Sequence, residues 1–274
     1  MKLSHLLRMA AAAGLLLTFP PFRLIHAAEI DAAIPRTEKA GKTTFKHDAF
    51  TFVRVRFTSG HGRFGTGGRG DWSTDWPDCD SNLSATFAKE TGLKTDPKGK
   101  VLELTDPALK QFPFIYMAEP GGLVFKEDEV KALRTYLMGG GFLMMDDFWG
   151  EKEWANLADQ MKRVFPEREP KEIPIEHPLF HCWFDISQKP QVPNVRTGVE
   201  SQYTGVTWER EDGKETHYRG IFDDQGRLMA LFCHNTDLGD GWEREGENAY
   251  YFKEFSQKKA YPMGINAIVH ALTQ

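Results

Sequence analysis

Apolar residues recur at helical spacing, give way to three glycines, and resume as an unbroken run that ends on two carboxylates; this pattern over residues 127–150 organises the chain. Val130, Leu133 and Leu137 mark one face of a helix whose first turn holds Glu127, Asp128 and Glu129, which suits the positive end of the helix dipole. Gly139, Gly140 and Gly141 stop it, because glycine accepts the left-handed backbone that helix ends favour. Residues 142–145 (FLMM) have strand length and no alternation, which is how a strand covered on both faces reads. Asp146 and Asp147 then fall beyond the carboxyl end of that strand, where open α/β sheets bind their ligands.

The same reading extends outward. Residues 49–57 (AFTFVRVRF) are β-branched, aromatic and partly alternating, and predict a first strand. The glycine-rich residues 59–70 follow it and spell GxGxxG. No helical pattern opens before Trp72, Trp76 and Pro77, so the loop lacks the helix N-terminus that would receive a pyrophosphate, and no cofactor is expected. Asp80 or Ser81 is placed to cap a helix carrying Leu83, Phe87 and Leu93. Residues 101–104 and 112–117 predict two more strands, and Trp154, Leu157, Met161 and Val164 trace a helix that Pro166 ends. Beyond Pro170, residues 177–185 predict a short helical turn. Residues 206–210 and 216–222 predict a hairpin about Asp212 and Gly213, residues 227–233 a strand, and a last helix starts near Ala260. Alternating strands and helices give the expected fold class: an α/β three-layer sandwich with a mostly parallel sheet and a β-hairpin addition in the C-terminal half.

Length and charge narrow the picture. The 274 residues suit one substantial domain, and a net charge of -5 with pI near 6.0 gives no reason to expect nucleic acid as a partner. Residues 1–28 begin with Lys2 and Arg8, continue through a short apolar run and end in small residues. They predict a signal peptide and hence a periplasmic or extracellular location, with membrane contact only if the signal is retained. Residues 29–48 are polar and aperiodic, a linker, leaving residues 49–274 as the single domain. Cys79, Cys182 and Cys233 are an odd number and sit in apolar surroundings, so they predict buried thiols rather than a disulfide framework.

Five stretches carry a resemblance: GDWSTDWPDCDSN (residues 70–82), GGGFLMMDDFWG (139–150), HPLFHCWFD (177–185), NTDLGDGWE (235–243) and GINAIVHAL (264–272). With them the chain resembles a bacterial family known as domain of unknown function 4159, in the class I glutamine amidotransferase-like superfamily. The resemblance implies a flavodoxin-like sandwich in an exported, envelope-associated protein and supplies no catalytic residue list. An amidotransferase needs a thiolate on a sharp strand-to-helix turn, where this chain carries Asp146 and Asp147 instead, so glutamine amidotransfer is not expected.

Two function classes follow. The first is a binding or scaffold module whose ligand, an unidentified envelope molecule with a flat polar shape such as a sugar, meets Trp72, Asp75, Asp78, Asp146, Asp147, Trp149, Asn235, Asp237 and Trp242 around one crevice. The alternative is a metal-assisted hydrolase drawing on Asp75, Asp78, Asp237 and, as core ligands, Asp146, Asp147, His177 and His181. The second is weakened by the HPLFH spacing, which lacks the intervening glutamate of HExxH. The binding module is therefore the preferred expectation, with no metal in its site.

Overall fold

The computed structural model describes residues 49–58 and 72–274. The expected signal peptide, linker and glycine-rich loop lie outside the described residues. Seven strands form one sheet: β1 (Phe50–Val55), β2 (Thr95–Leu102), β3 (Phe114–Ala118), β4 (Phe142–Phe148), β5 (Lys171–Glu172), β6 (His217–Phe222) and β7 (Leu228–His234). Their order is β2-β1-β3-β4-β7-β6-β5. The first five in this order are mutually parallel, and β6 and β5 extend them antiparallel. The parallel part runs in the flavodoxin-like order.

Helices cover both faces. They are α1 (Asp78–Thr91), α2 (Glu127–Met138), α3 (Gly150–Val164), α4 (Val195–Thr204), α5 (Leu238–Glu243), α6 (Ala249–Tyr251) and α7 (Tyr261–Thr273), with a π-helical stretch Phe252–Ala260 joining α6 to α7. Successive strand residues divide between two cores. Phe114, Tyr116, Phe142 and Met144 pack with Leu83 and Phe87 of α1, Trp242 of α5 and Ile268 of α7. Ile115, Met117, Leu143 and Met145 pack with Leu133 and Leu137 of α2 and Leu157 and Met161 of α3. Both faces of β4 are thus sealed, which is why its sequence cannot alternate. Each fully buried Leu or Phe there contributes about 1.5–3 kcal/mol of hydrophobic stabilisation.

Several expectations are corrected. The hairpin is β6–β7 about residues 223–226, where Asp223 Oδ1 accepts from the amides of Gln225 and Arg227 at 3.0 and 2.9 Å. Residues 206–210 form no strand, because their side chains are committed elsewhere: Arg210 pairs with Glu153, and Glu209 accepts from the Asn194 amide. Neither Asp80 nor Ser81 caps α1, which starts at Asp78 behind Pro77; Asp80 is drawn into an ion pair with Arg54 instead. Strand β2 begins six residues before the expected 101, and α4, α5 and α6 precede the one C-terminal helix that was expected. Of the three glycines, Gly140 holds the left-handed angle, with φ 103°.

Candidate functional site

Parallel strands send their carboxyl ends to one rim, and here the backbone of that rim is strained. Four non-glycine residues have positive φ among the described residues: Asp75 (62°), Glu119 (46°), Asp147 (59°) and Asn235 (62°). Glu119 directly follows β3, Asp147 is the penultimate residue of β4 and Asn235 directly follows β7. Each such angle costs about 1–3 kcal/mol and persists only where surrounding structure enforces it. The enforcement is visible: the Glu119 amide donates to Asp146 O at 3.0 Å and the Asn235 amide to Phe148 O at 2.9 Å, stitching three neighbouring strand ends together.

The strain gathers carboxylates. One oxygen each from Asp75, Asp147 and Asp237 lie within 4.8 Å of one another, and one each from Asp75, Asp240 and Glu243 do the same. Asp237 caps α5 by accepting from the Asp240 amide at 2.8 Å, and Asp147 Oδ1 accepts from Trp149 Nε1 at 3.2 Å. Asp75 Oδ2 is buried with no hydrogen-bond partner. It lies so close to the Gly239 backbone that a β-carbon at that glycine would overlap it. Burial raises the carboxyls of Asp75, Asp147 and Asp237 well above the usual aspartate range. Neighbouring negative charges, including Asp240 on Asp75 and Asp147 on Asp237, push the same way.

The two groups differ in how their charge is offset. Arg244 Nε sits 3.6 Å from Asp240 and 2.6 Å from Glu243, so the second group carries its own cation. Among the described residues, no Lys, Arg or His forms an ion pair with Asp75, Asp147 or Asp237. Adjacent carboxylates in a low-dielectric setting must share protons or take a cation. Oxygen-only donors suit a hard divalent ion such as Mg²⁺, Ca²⁺ or Mn²⁺. Asp75 and Asp147 keep partial exposure, which leaves the group open to solvent.

Asp146 stands behind this group. It is fully buried, and its Oδ2 accepts from Tyr116 Oη at 3.2 Å and from the Gly239 amide at 3.0 Å. Burial pushes its carboxyl up to about 7.

The structure thus brings Asp75, Asp147 and Asp237 together, with Asp146 beneath them, and disperses the remaining candidates. Asp78 is exposed on the first turn of α1 and belongs to neither carboxylate group. Trp149 is 3% exposed and Trp242 fully buried against Tyr116, so neither offers a ring face to a ligand. Trp242 is part of the core through α5, and Trp149 is buried at the N-cap of α3. Trp72 is half-buried, with its ring 6.0 Å from that of Trp76. Asn235 is a clamp: its Oδ1 accepts from the Gly150 amide at 2.8 Å and its Nδ2 donates to Glu215 O at 2.7 Å.

The histidines proposed as metal partners of Asp146 and Asp147 are not with them. His177 packs on Phe222 and His270, and Phe222 pairs with Leu228, the first residue of β7, so it sits at the opposite end of the sheet. His181 is tied to Asp185 and Ile175 O at 2.6 and 2.7 Å. Sequence reasoning also passed over Glu119, Asp240 and Glu243. The first directly follows a predicted strand and the others lie in the NTDLGDGWE stretch, so the strand-exit criterion could have included them.

No thiol belongs to either carboxylate group, although Cys79 Sγ lies 3.3 Å from Arg54 Nη2 and its amide donates to Asp75 O at 3.0 Å. Cys79 and Cys233 are buried in the core, and burial pushes the Cys182 thiol up to about 12. No helix among the described residues is long and apolar enough to cross a membrane.

The sequence profile of the family described as Domain of unknown function (DUF4159) matches residues 51–272, and the chain belongs to that family. Comparison with curated proteins gives no match.

Proposed function

We propose that this member of a family without an assigned activity is a binding module that holds a hard divalent cation on Asp75, Asp147 and Asp237 and uses it to engage an oxygen-rich polar ligand. The observation that carries the reading is the mutual 4.8 Å approach of three carboxylates with which, among the described residues, no Lys, Arg or His forms an ion pair, whereas their neighbours Asp240 and Glu243 pair with Arg244. A divalent ion would offset their repulsion and leave coordination positions for ligand hydroxyl or carboxylate oxygens. The cation replaces the aromatic walls of the sequence-based expectation as the feature that recognises the ligand, since Trp149 and Trp242 are buried.

Binding is favoured over metal-assisted hydrolysis for a physical reason. Hydrolysis asks for a group near the ion that can exchange protons with water at neutral pH. Asp146 has a suitable proton affinity but is 0% exposed and tied to Tyr116 and Gly239.

The class I glutamine amidotransferase-like superfamily remains the proposed wider relationship. The parallel strand order supports it, while the Asp146–Asp147 pair at the β4 exit argues against amidotransfer chemistry. Export to the cell envelope is likewise proposed from residues 1–28, and the intact mass of exported protein, expected to begin near Ala28 or Glu29, tests it.

Calorimetric titration of the wild-type chain and of Asp147→Asn with Mg²⁺, Mn²⁺ and Ca²⁺ tests the cation. Saturable binding in the wild type, weakened at least about tenfold in the variant, is the expected result. A wild type that binds none of the three ions overturns the proposal.

A further inference from the structure

Arg54 is fully buried in β1, where it is the one charged residue among Phe50, Thr51, Phe52, Val53 and Val55. Its guanidinium donates to a carboxylate, to two backbone carbonyls and, from Nη2 at 3.3 Å, to Cys79 Sγ. Nε and Nη2 meet Asp80, at 3.0 and 2.6 Å to Oδ1, which neutralises the charge. Nη1 donates to Trp72 O at 3.0 Å and to Thr74 O at 2.8 Å, two carbonyls of the loop that carries Asp75. The same guanidinium lies 5.1 Å over the Tyr116 ring, whose hydroxyl donates to Asp146. Asp75 itself holds a φ of 62° that an aspartate does not adopt without support.

We infer that Arg54 is the positioning residue of the cation centre, fixing the residue 72–75 loop through its two carbonyl hydrogen bonds so that the Asp75 carboxylate meets Asp147 and Asp237. This rests on the cation reading above. A buried ion pair is weak evidence of stabilisation, since an apolar pair of similar volume often does as well or better. What Arg54 supplies that an apolar pair cannot is a planar group whose Nη1 reaches two backbone oxygens while its Nε and Nη2 edge holds Asp80. Asp80 has the other role: it offsets the charge through Nε and Nη2, while Nη1 reaches the loop.

The roles separate experimentally. In Arg54→Met/Asp80→Leu the pair is removed without stranding a buried charge, so the fold is retained while Trp72 O and Thr74 O lose their donors. Asp80→Asn keeps the donors in place but leaves the Arg54 charge without its counter-ion, so it lowers the denaturation midpoint while the hydrogen bonds to the loop persist. Two readouts apply to each variant: hydrogen exchange of the backbone amides of residues 73–76, which needs no cation, and calorimetric affinity for Mg²⁺, Mn²⁺ and Ca²⁺.

The expected result is faster exchange and at least about tenfold weaker cation binding in the double variant, with Asp80→Asn close to wild type in both. Wild-type exchange or wild-type affinity in the double variant overturns the role given to Arg54. If the wild type binds no cation, the proposed function fails, and the exchange measurement still decides whether Arg54 holds the loop. Should the double variant not fold, Arg54→Lys, which keeps a charge for Asp80 but has no planar group, is judged by the same two readouts and the same outcomes.

Discussion

Without a cation, the stability of the wild type relative to Asp146→Asn should fall as pH rises from 5 to 8, the reverse of the usual contribution of a paired carboxylate. His234 and His270, which burial holds down to about 4, add stability over the lower part of this range in both proteins and cancel in the difference. The cause is sharpest at Asp146. Its carboxyl is fully buried and holds its proton up to about 7, whereas an aspartate in an unfolded chain releases it near ~3.9. The folded state therefore binds the proton more tightly, and the stabilisation from this group is complete below pH ~4 and is lost as pH climbs through about 7. The gap between the two values corresponds to ~4 kcal/mol at full deprotonation. Asp75, Asp147 and Asp237 are raised in the same direction and add to the slope of both proteins.

The assay is chemical denaturation in EDTA at several pH values from 5 to 8, for wild type and for Asp146→Asn. The asparagine carbonyl can take the hydrogen bonds that Tyr116 Oη and the Gly239 amide now give to Asp146 Oδ2, and it has no proton to lose. The variant should show a shallower slope and exceed the wild type in stability at pH 8. A wild-type stability that does not fall relative to Asp146→Asn between pH 5 and 8 in EDTA would refute the reasoning, as would a variant weaker than wild type at pH 8.

The turn from α2 into β4 gives a second test. Gly140→Val should lower stability by at least ~1 kcal/mol through its φ of 103° alone, since nothing lies within 4 Å of the added carbon. Gly141→Val should cost more, because its β-carbon would overlap the Tyr136 ring; denaturation midpoints equal to wild type would contradict both. Native protein at pH 8 should react slowly with iodoacetamide at all three cysteines and quickly after denaturation. Cys79 and Cys233 are buried and Cys182 holds its proton up to about 12, so a fast thiol in the native state would show that one of these environments is wrong.

Strands and helices with one dominant cause were legible in the sequence. The α2–glycine–β4 passage was read correctly because helical spacing, glycine and a doubly covered strand each leave a local mark. Strand β2 was mostly hidden because it is a polar edge strand with no buried face to impose a pattern. The hairpin was misassigned because Asp212–Gly213 carries a turn signal, and only tertiary contacts such as Arg210 with Glu153 decide that no ladder forms around it.

The site divides in the same way. Aspartates at strand exits could be placed on one rim from topology alone, and Asp75, Asp147 and Asp237 do meet there. The end of the sheet on which residues 177–185 fold is not encoded in their spacing, so His177 and His181 were placed with the wrong partners. Arg54 was invisible for another reason. One charge in an alternating strand reads as a solvent-facing position, and its partner Asp80 is 26 residues away.

Elemental mass spectrometry of protein purified at pH 8 without chelator, then equilibrated with a limiting mixture of Mg²⁺, Ca²⁺, Mn²⁺ and Zn²⁺, tests the cation centre most directly. A single hard divalent ion retained per chain, and lost in Asp75→Asn, Asp147→Asn and Asp237→Asn, is the predicted result. Wild-type chains that emerge without a stoichiometric ion, or whose ion is retained in all three variants, would contradict it.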